Sequence, residues 1–163
     1  MSKIPGVKLT DLTRNQDDRG FLYEVVHNYD MEKFGQVYVV GNWCRKTVRG
    51  FHRHAELWDY FHIITGSALF VLVYQPDYQL DGGENDVIVR AMLPPPVIET
   101  FILSEHKPQV LTVPPGVWHG WISLSNDTRL LSTASTVYNK ETPDEERVSA
   151  DYFGDDVWKV VAR

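Results

Sequence analysis

The sequence predicts an all-β fold, a jelly-roll β-barrel with one or two short helices, on three observations. Apolar residues almost nowhere recur at helical spacing, short β-branched and aromatic runs recur throughout, and turn residues separate those runs. Strands are expected at 20–26, 37–43, 57–64, 68–74, 86–93, 99–103, 109–113, 118–124 and 129–137. Thr65-Gly66-Ser67 predicts a hairpin turn between two of them. Segment 75–84, with Pro76, Asp77, Gly82 and Gly83, reads as a loop, and Pro94-Pro95-Pro96 breaks the ladder because proline donates no hydrogen bond. Only 30–34 and the acidic segment 143–148 are expected to be helical, a turn or two each. A chain of 163 residues, 43% hydrophobic, supports one substantial core, so one domain is expected over 1–163. The mouth of such a barrel commonly takes a ligand.

Charge and composition narrow the function. A net charge of −6 argues against a nucleic-acid partner, because phosphate backbones are held by surplus Lys and Arg. No apolar run approaches the roughly 20 residues of a membrane span, and the first residues form no signal-like segment. Cys44 is the only cysteine, which excludes an internal disulfide and a Cys-based zinc site. It is expected to be a buried small hydrophobe, and the setting to be cytoplasmic. Against the acidic background, Arg45, Lys46, Arg49 and Arg53 fall within nine residues. They read either as charges guarding an edge strand or as a phosphate-binding site.

The most informative segment is Arg49-Gly50-Phe51-His52-Arg53-His54, since two histidines two apart on an extended chain point the same way. Pro114-Pro115-Gly116-Val117-Trp118-His119 delivers a third onto the next strand, opposite the pair in a jelly roll. That order and spacing resemble the two sequence motifs of cupins. Two chemistries fit. As metal ligands, His52, His54, Asp59 and His119 offer imidazoles and a carboxylate. As acid–base groups, His52 removes a proton from a carbon next to a carbonyl, a role suited to a pKa of ~6.5.

Four further pieces occur in order. Asp18-Arg19-Gly20-Phe21 with Glu24, Arg49-Gly50-Phe51-His52, Pro115 to Trp121, and Tyr138 with Pro143-Asp144-Glu145-Glu146-Arg147 resemble the dTDP-4-dehydrorhamnose 3,5-epimerases. The resemblance implies a cofactor-free, homodimeric jelly roll that epimerises a nucleotide-diphosphate 4-keto-6-deoxy sugar at C3, C5 or both. It implies His52 as base, Arg19 and Arg49 on the diphosphate, Glu24 near the nucleotide and His119 in the sugar pocket. Tyr138 then returns the proton on the opposite face, with His54 and His119 as donors to the enolate oxygen.

The chain also departs from that family. Asp59 stands where the family has an active-site lysine, Ser132 where it has a general-acid tyrosine, and His54 where glutamine is common. Asp59 is a candidate replacement for the family's aspartate that partners the base. The Arg-Gly-x-His-x-His run, with Val37-Tyr38 upstream, is similar instead to the sugar-nucleotide 3,4-ketoisomerases, which move a proton between neighbouring carbons. A metal-dependent cupin and a non-enzymatic sugar-binding cupin are the remaining alternatives. Trp43, Trp118, Trp121 and Tyr38 read as core or pocket-wall aromatics, His27, His62 and His106 as structural or exposed, and Asp144 to Glu146 as a solvated turn.

Overall fold

The computed structural model describes residues 1–75 and 94–160. Twelve strands are described: β1 (Lys8–Asp11), β2 (Asn15–Asp17), β3 (Gly20–Leu22), β4 (Gln36–Asn42), β5 (Val48–Arg53), β6 (Asp59–Thr65), β7 (Ser67–Tyr74), β8 (Val97–Ser104), β9 (Gln109–Val113), β10 (Trp118–Ser123), β11 (Thr128–Ala134) and β12 (Glu146–Arg147). The expected strand 86–93 and nearly all of the loop 75–84 lie outside the described residues.

Two antiparallel five-stranded sheets, ordered β1-β9-β6-β11-β4 and β12-β5-β10-β7-β8, face each other, and β2 and β3 form a separate hairpin. This is the cupin-type β fold that the strand pattern predicts. Between the sheets lie Phe61, Ile63, Phe70, Leu72, Leu111, Val113, Trp121 and Leu130, the inward positions of alternating strands. The outward faces are covered as well. Phe51, Val71, Val73 and Trp118 pack beneath the C-terminal residues Phe153, Val157 and Trp158, while Tyr60 and Val110 pack beneath Leu12, Val25, Val26 and Met31. That double cover explains why β6 and β7 are near-continuous runs of buried residues.

Several expectations are corrected. Thr65-Gly66-Ser67 is not a hairpin, because β6 and β7 belong to opposite sheets. Gly66, with φ of 75°, turns the corner between them, and a Cβ there would meet Ser125 Oγ at 2.4 Å. Segment 30–34 is not helical, for the Asp30 carboxylate accepts the His27 N–H at 2.8 Å and closes a local turn. Segment 143–148 is not helical either, since Glu146 and Arg147 pair with Arg53 and His52 of β5. The described helical element is instead a 3-10 turn at Asp155–Trp158. The strand expected over 20–26 stops at Leu22, and β1, β2, β5 and β12 were not anticipated. Cys44 and Trp43 are exposed, because they occupy the turn between β4 and β5 rather than a strand. Among the described residues, no helix is long and apolar enough to cross a membrane.

His62 is fully buried on β6, under the N-terminal segment. Its Nδ1–H donates to the Gln109 carbonyl at 2.9 Å, and its Nε2 accepts from the Tyr23 hydroxyl at 3.2 Å. Burial pushes its pKa below the ordinary value, although the Gln109 carbonyl opposes that shift. The unfolded chain therefore binds the proton first, near the ordinary ~6.5. Stability held by neutral His62 is present above that pH and is lost as the pH falls below it. The urea midpoint is expected to drop between about pH 7 and about pH 5, and His62→Gln, less stable at the higher pH, to show a smaller drop.

Candidate active site

Strands of both sheets aim side chains at one point inside the barrel mouth. His52 on β5 and His119 on β10 are register partners, with ring centroids 4.2 Å apart. His54, one residue beyond the end of β5, lies 5.8 Å from His52 and 5.6 Å from His119, centroid to centroid. Asp59, the first residue of β6, is 1% exposed and comes from the opposite sheet. Ser132 on β11 and Tyr38 on β4, themselves register partners, both donate to Asp59 Oδ1, at 3.1 Å and 3.4 Å.

The local backbone explains how the histidines reach this point. β5 alternates Phe51 outward beneath Phe153 and Trp158 with His52 inward, and Arg53 outward onto Trp118 and Glu146. Gly50, at φ of 146°, passes Gly120 of β10 so closely that a Cβ would lie 2.7 Å from the Gly120 Cα. This contact sits where the β5–β10 register shifts, between His119 and Trp121. The two motif loops are tied together, since the Gly116 N–H donates to the His54 carbonyl at 2.8 Å.

Asp144 locks the turn after His54. Its carboxylate accepts the N–H groups of Ala55, Glu56 and Leu57 at 2.7, 3.0 and 2.9 Å, and its carbonyl accepts from His54 Nδ1. Burial raises the pKa of Asp144, but those three backbone donors outweigh it and hold the carboxyl below its usual range. The segment read as a solvated acidic turn thus positions His54. His54, Tyr138, Asp144 and Glu145 line a cleft of about 200 Å³.

His52 has neither ring nitrogen hydrogen-bonded among the described residues. Burial first, then His119, His54 and Arg147, push its pKa down to about 2, so the ring is neutral with an available lone pair. Tyr38 is shifted the other way: burial and the Asp59 charge raise it, so the phenol keeps its proton. His119 Nδ1–H donates to the Val117 carbonyl at 3.0 Å, and its Nε2 lies 3.4 Å from Asp59 Oδ2. His54 Nε2 lies 3.6 Å from the same oxygen. One ligand atom from each of His52, His54 and His119 falls within 4.8 Å of the other two, so the mouth has the donor set of a metal site.

Of the other sequence-predicted residues, Arg49 stands at the sheet edge, donating to Asn42 Oδ1 at 2.7 Å and to the Gly41 carbonyl at 3.1 Å. Arg45 and Lys46 lie on the preceding turn, and Arg53 points to the outer face. Arg19 and Glu24 are not brought to the histidines. Arg19 caps the exposed β2–β3 hairpin, paired with Asp17, and Glu24 pairs with His27 at 3.2 Å beside an outer cleft of about 580 Å³. Sequence reasoning set Tyr38 among wall aromatics and treated Ser132 as a lost tyrosine. Their common target, Asp59, becomes visible only through the β4–β11–β6 register.

No family model matches the chain. It is 30% identical over 154 residues to the spore coat polysaccharide biosynthesis protein SpsL of Bacillus subtilis, covering 91% of each. It is also 30% identical over 157 residues to the probable low-salt glycan biosynthesis epimerase Agl13 of Haloferax volcanii, covering 93% of this chain and 91% of that one. The fold matches a dTDP-4-dehydrorhamnose 3,5-epimerase from Bacillus anthracis, solved with TDP and pyrophosphate, at TM-score 0.74 and 20% identity over 99% of this chain and 90% of that one. The chain belongs to the epimerase family of these two polysaccharide- and glycan-biosynthesis proteins, and its fold is that of the dTDP-4-dehydrorhamnose 3,5-epimerases. Membership places it among the isomerases. This epimerase-family chain also matches the sugar 3,4-ketoisomerase QdtA from Thermoanaerobacterium thermosaccharolyticum, at TM-score 0.65 and 20% identity over 94% of this chain and 96% of that one.

Within this epimerase-family site, Asp144 supplies the test of rigidity. Asp144→Ala removes three charge-assisted hydrogen bonds and is expected to cost about 2–4 kcal/mol, read as a lowered denaturation midpoint. The same variant is expected to broaden the His54 ring resonances while leaving those of His62 unchanged.

Proposed function

We propose that this protein epimerises a nucleotide-diphosphate 4-keto-6-deoxy sugar at C3, C5 or both, with His52 as the base. The observation that carries this reading is the placement of His52 against His119 and His54 inside the Asp59-lined mouth of an epimerase-family scaffold, with neither of its ring nitrogens hydrogen-bonded among the described residues. His52 takes the proton alpha to the C4 ketone, and the negative charge moves to the ketone oxygen. Donors around the mouth stabilise that oxygen, and Tyr138, which shares the His54 cleft, returns a proton on the opposite face. Arg49 offers its guanidinium to the diphosphate from the sheet edge, an arrangement suited to paired phosphate oxygens. A 3,4-ketoisomerase is the second reading, favoured by the His52-x-His54 pair and the match to QdtA.

In deuterated buffer with authentic 4-keto substrate, deuterium is expected at C3 or C5, and its absence from both overturns the proposal. His52→Asn is expected to abolish exchange and leave nucleoside-diphosphate affinity within about threefold. A product whose carbonyl has moved to C3, seen by NMR, selects the ketoisomerase instead.

The active unit is proposed to be a homodimer. Support comes from exposed apolar side chains on two features that lack a further strand neighbour among the described residues: Val37 and Val39 on the edge strand β4, and Phe21 and Leu22 on the hairpin that carries Arg19. Light scattering is expected to return twice the chain mass, and Val39→Asp to shift it toward the monomer. A wild-type monomer at micromolar concentration overturns the dimer.

A further inference from the structure

An enolate oxygen needs a hydrogen-bond donor, and with His52 occupied as the base the other two histidines of the mouth do not supply one. His119 and His54 each turn Nδ1 to a backbone carbonyl, of Val117 and Asp144, so that nitrogen carries its hydrogen and spends it there. The other nitrogen, Nε2, faces Asp59 Oδ2, at 3.4 Å from His119 and 3.6 Å from His54. In a neutral ring that Nε2 is bare, and in a charged ring its hydrogen is aimed at the Asp59 carboxylate. Neither state leaves a donor for a ligand.

Two hydroxyls remain beside Asp59. Ser132 is fully buried and donates to Oδ1 at 3.1 Å, which leaves it no path to a ligand. Tyr38 is partly exposed, and its hydroxyl lies 3.4 Å from the same oxygen, long beside the usual ~2.5–3.0 Å of an O–H···O bond. When the phenol turns away, Ser132 still holds Oδ1, so the exchange strands no buried acceptor. Burial and the Asp59 charge keep the phenol protonated. Glu145, which lines the His54 cleft, also acts on it electrostatically, so the phenol lies near that cleft. Tyr38 on β4 and His52 on β5 belong to facing sheets, so a ring seated between them meets the base from one side and the phenol from the other.

We propose that the Tyr38 hydroxyl is the donor that meets the C4 ketone oxygen of the sugar and stabilises it as negative charge develops there. His52 takes the alpha proton, the C–H electron pair becomes a C=C bond, and the carbonyl π pair moves to the oxygen. Tyr38 keeps its proton and strengthens its hydrogen bond, and the reverse shift restores the ketone. This role replaces the one that the family resemblance gives to His54 and His119. It rests on the reading of the substrate as a 4-keto sugar and is the same for epimerase and ketoisomerase, since both pass through an enolate.

The test has a binding arm and a kinetic arm, both with a nucleoside-diphosphate 4-keto-6-deoxy sugar labelled at the C4 carbonyl. In His52→Asn, which holds the sugar unreacted, the infrared carbonyl stretch is expected at lower frequency than in free substrate, and adding Tyr38→Phe is expected to remove that shift. Tyr38→Phe alone is expected to lower kcat for deuterium incorporation about 10²- to 10³-fold and to leave KM within about threefold. Ser132→Ala leaves Oδ1 to the phenol alone, holds it on Asp59 and is expected to lower kcat about 10-fold. Circular dichroism checks each variant, and Ser132→Ala keeps the kinetic arm available where Tyr38→Phe does not fold. An unshifted carbonyl in His52→Asn, a shift that survives Tyr38→Phe, or kcat unchanged in both Tyr38→Phe and Ser132→Ala overturns the proposal. The two readings fail separately: a Tyr38-dependent shift without deuterium at C3 or C5 overturns only the epimerase, and deuterium entry without the shift overturns only the role of Tyr38.

Discussion

The burial of the Asp59 carboxylate at the start of β6 is the constraint around which the mouth is organised. Taking a carboxylate out of water costs several kcal/mol unless hydrogen bonds and positive charge compensate it. Hydrogen bonds to Oδ1 come from Ser132 and Tyr38 of the sheet that contains β6, while His54 and His119 of the opposite sheet face Oδ2 at 3.6 Å and 3.4 Å. Each arrives because its strand points alternate residues inward. The same anion therefore draws the two sheets' polar positions to one place and decides which atoms of the histidines remain for chemistry.

That place is rigid because the layers outside it are covered. Phe51 and Trp118, which flank His52 and His119 in sequence, are wedged under Phe153 and Trp158, so the inward histidines cannot rotate outward without exposing that cluster. Gly50 and Gly120 bring β5 and β10 to close contact immediately beside the histidine pair. Asp144 does the same for the turn after His54 through three backbone N–H groups. Together these features hold three imidazoles within a few ångströms of one another. Side chains carried on loops alone would not keep that precision.

Polar chemistry at the mouth is divided between fixed and free groups. His119 and His54 are pinned at Nδ1 by backbone carbonyls, whereas His52 is hydrogen-bonded at neither nitrogen among the described residues. An unpinned neutral imidazole suits proton transfer, and pinned imidazoles suit holding charge. The residues that separate this chain from the epimerase pattern, Asp59, Ser132 and His54, sit together in space, so the departures form one rebuilt corner of the site.

Much of this was legible in the sequence. Period-2 alternation and turn spacing determined the all-β class, and the His52-x-His54 spacing determined that two imidazoles share a side, since both follow from local backbone geometry. The order of the motifs determined the family. Short exposed strands such as β2 and β12 carried no signal, because two or three polar residues pair only when a partner strand is already in place. The corner at Gly66, the Tyr38–Ser132–Asp59 contact and the Asp144 lock join residues far apart in the chain, across registers that local pattern does not encode. Only the closure of two sheets decided that Asp59 would be buried facing His54 and His119, and with it what the three histidines can do.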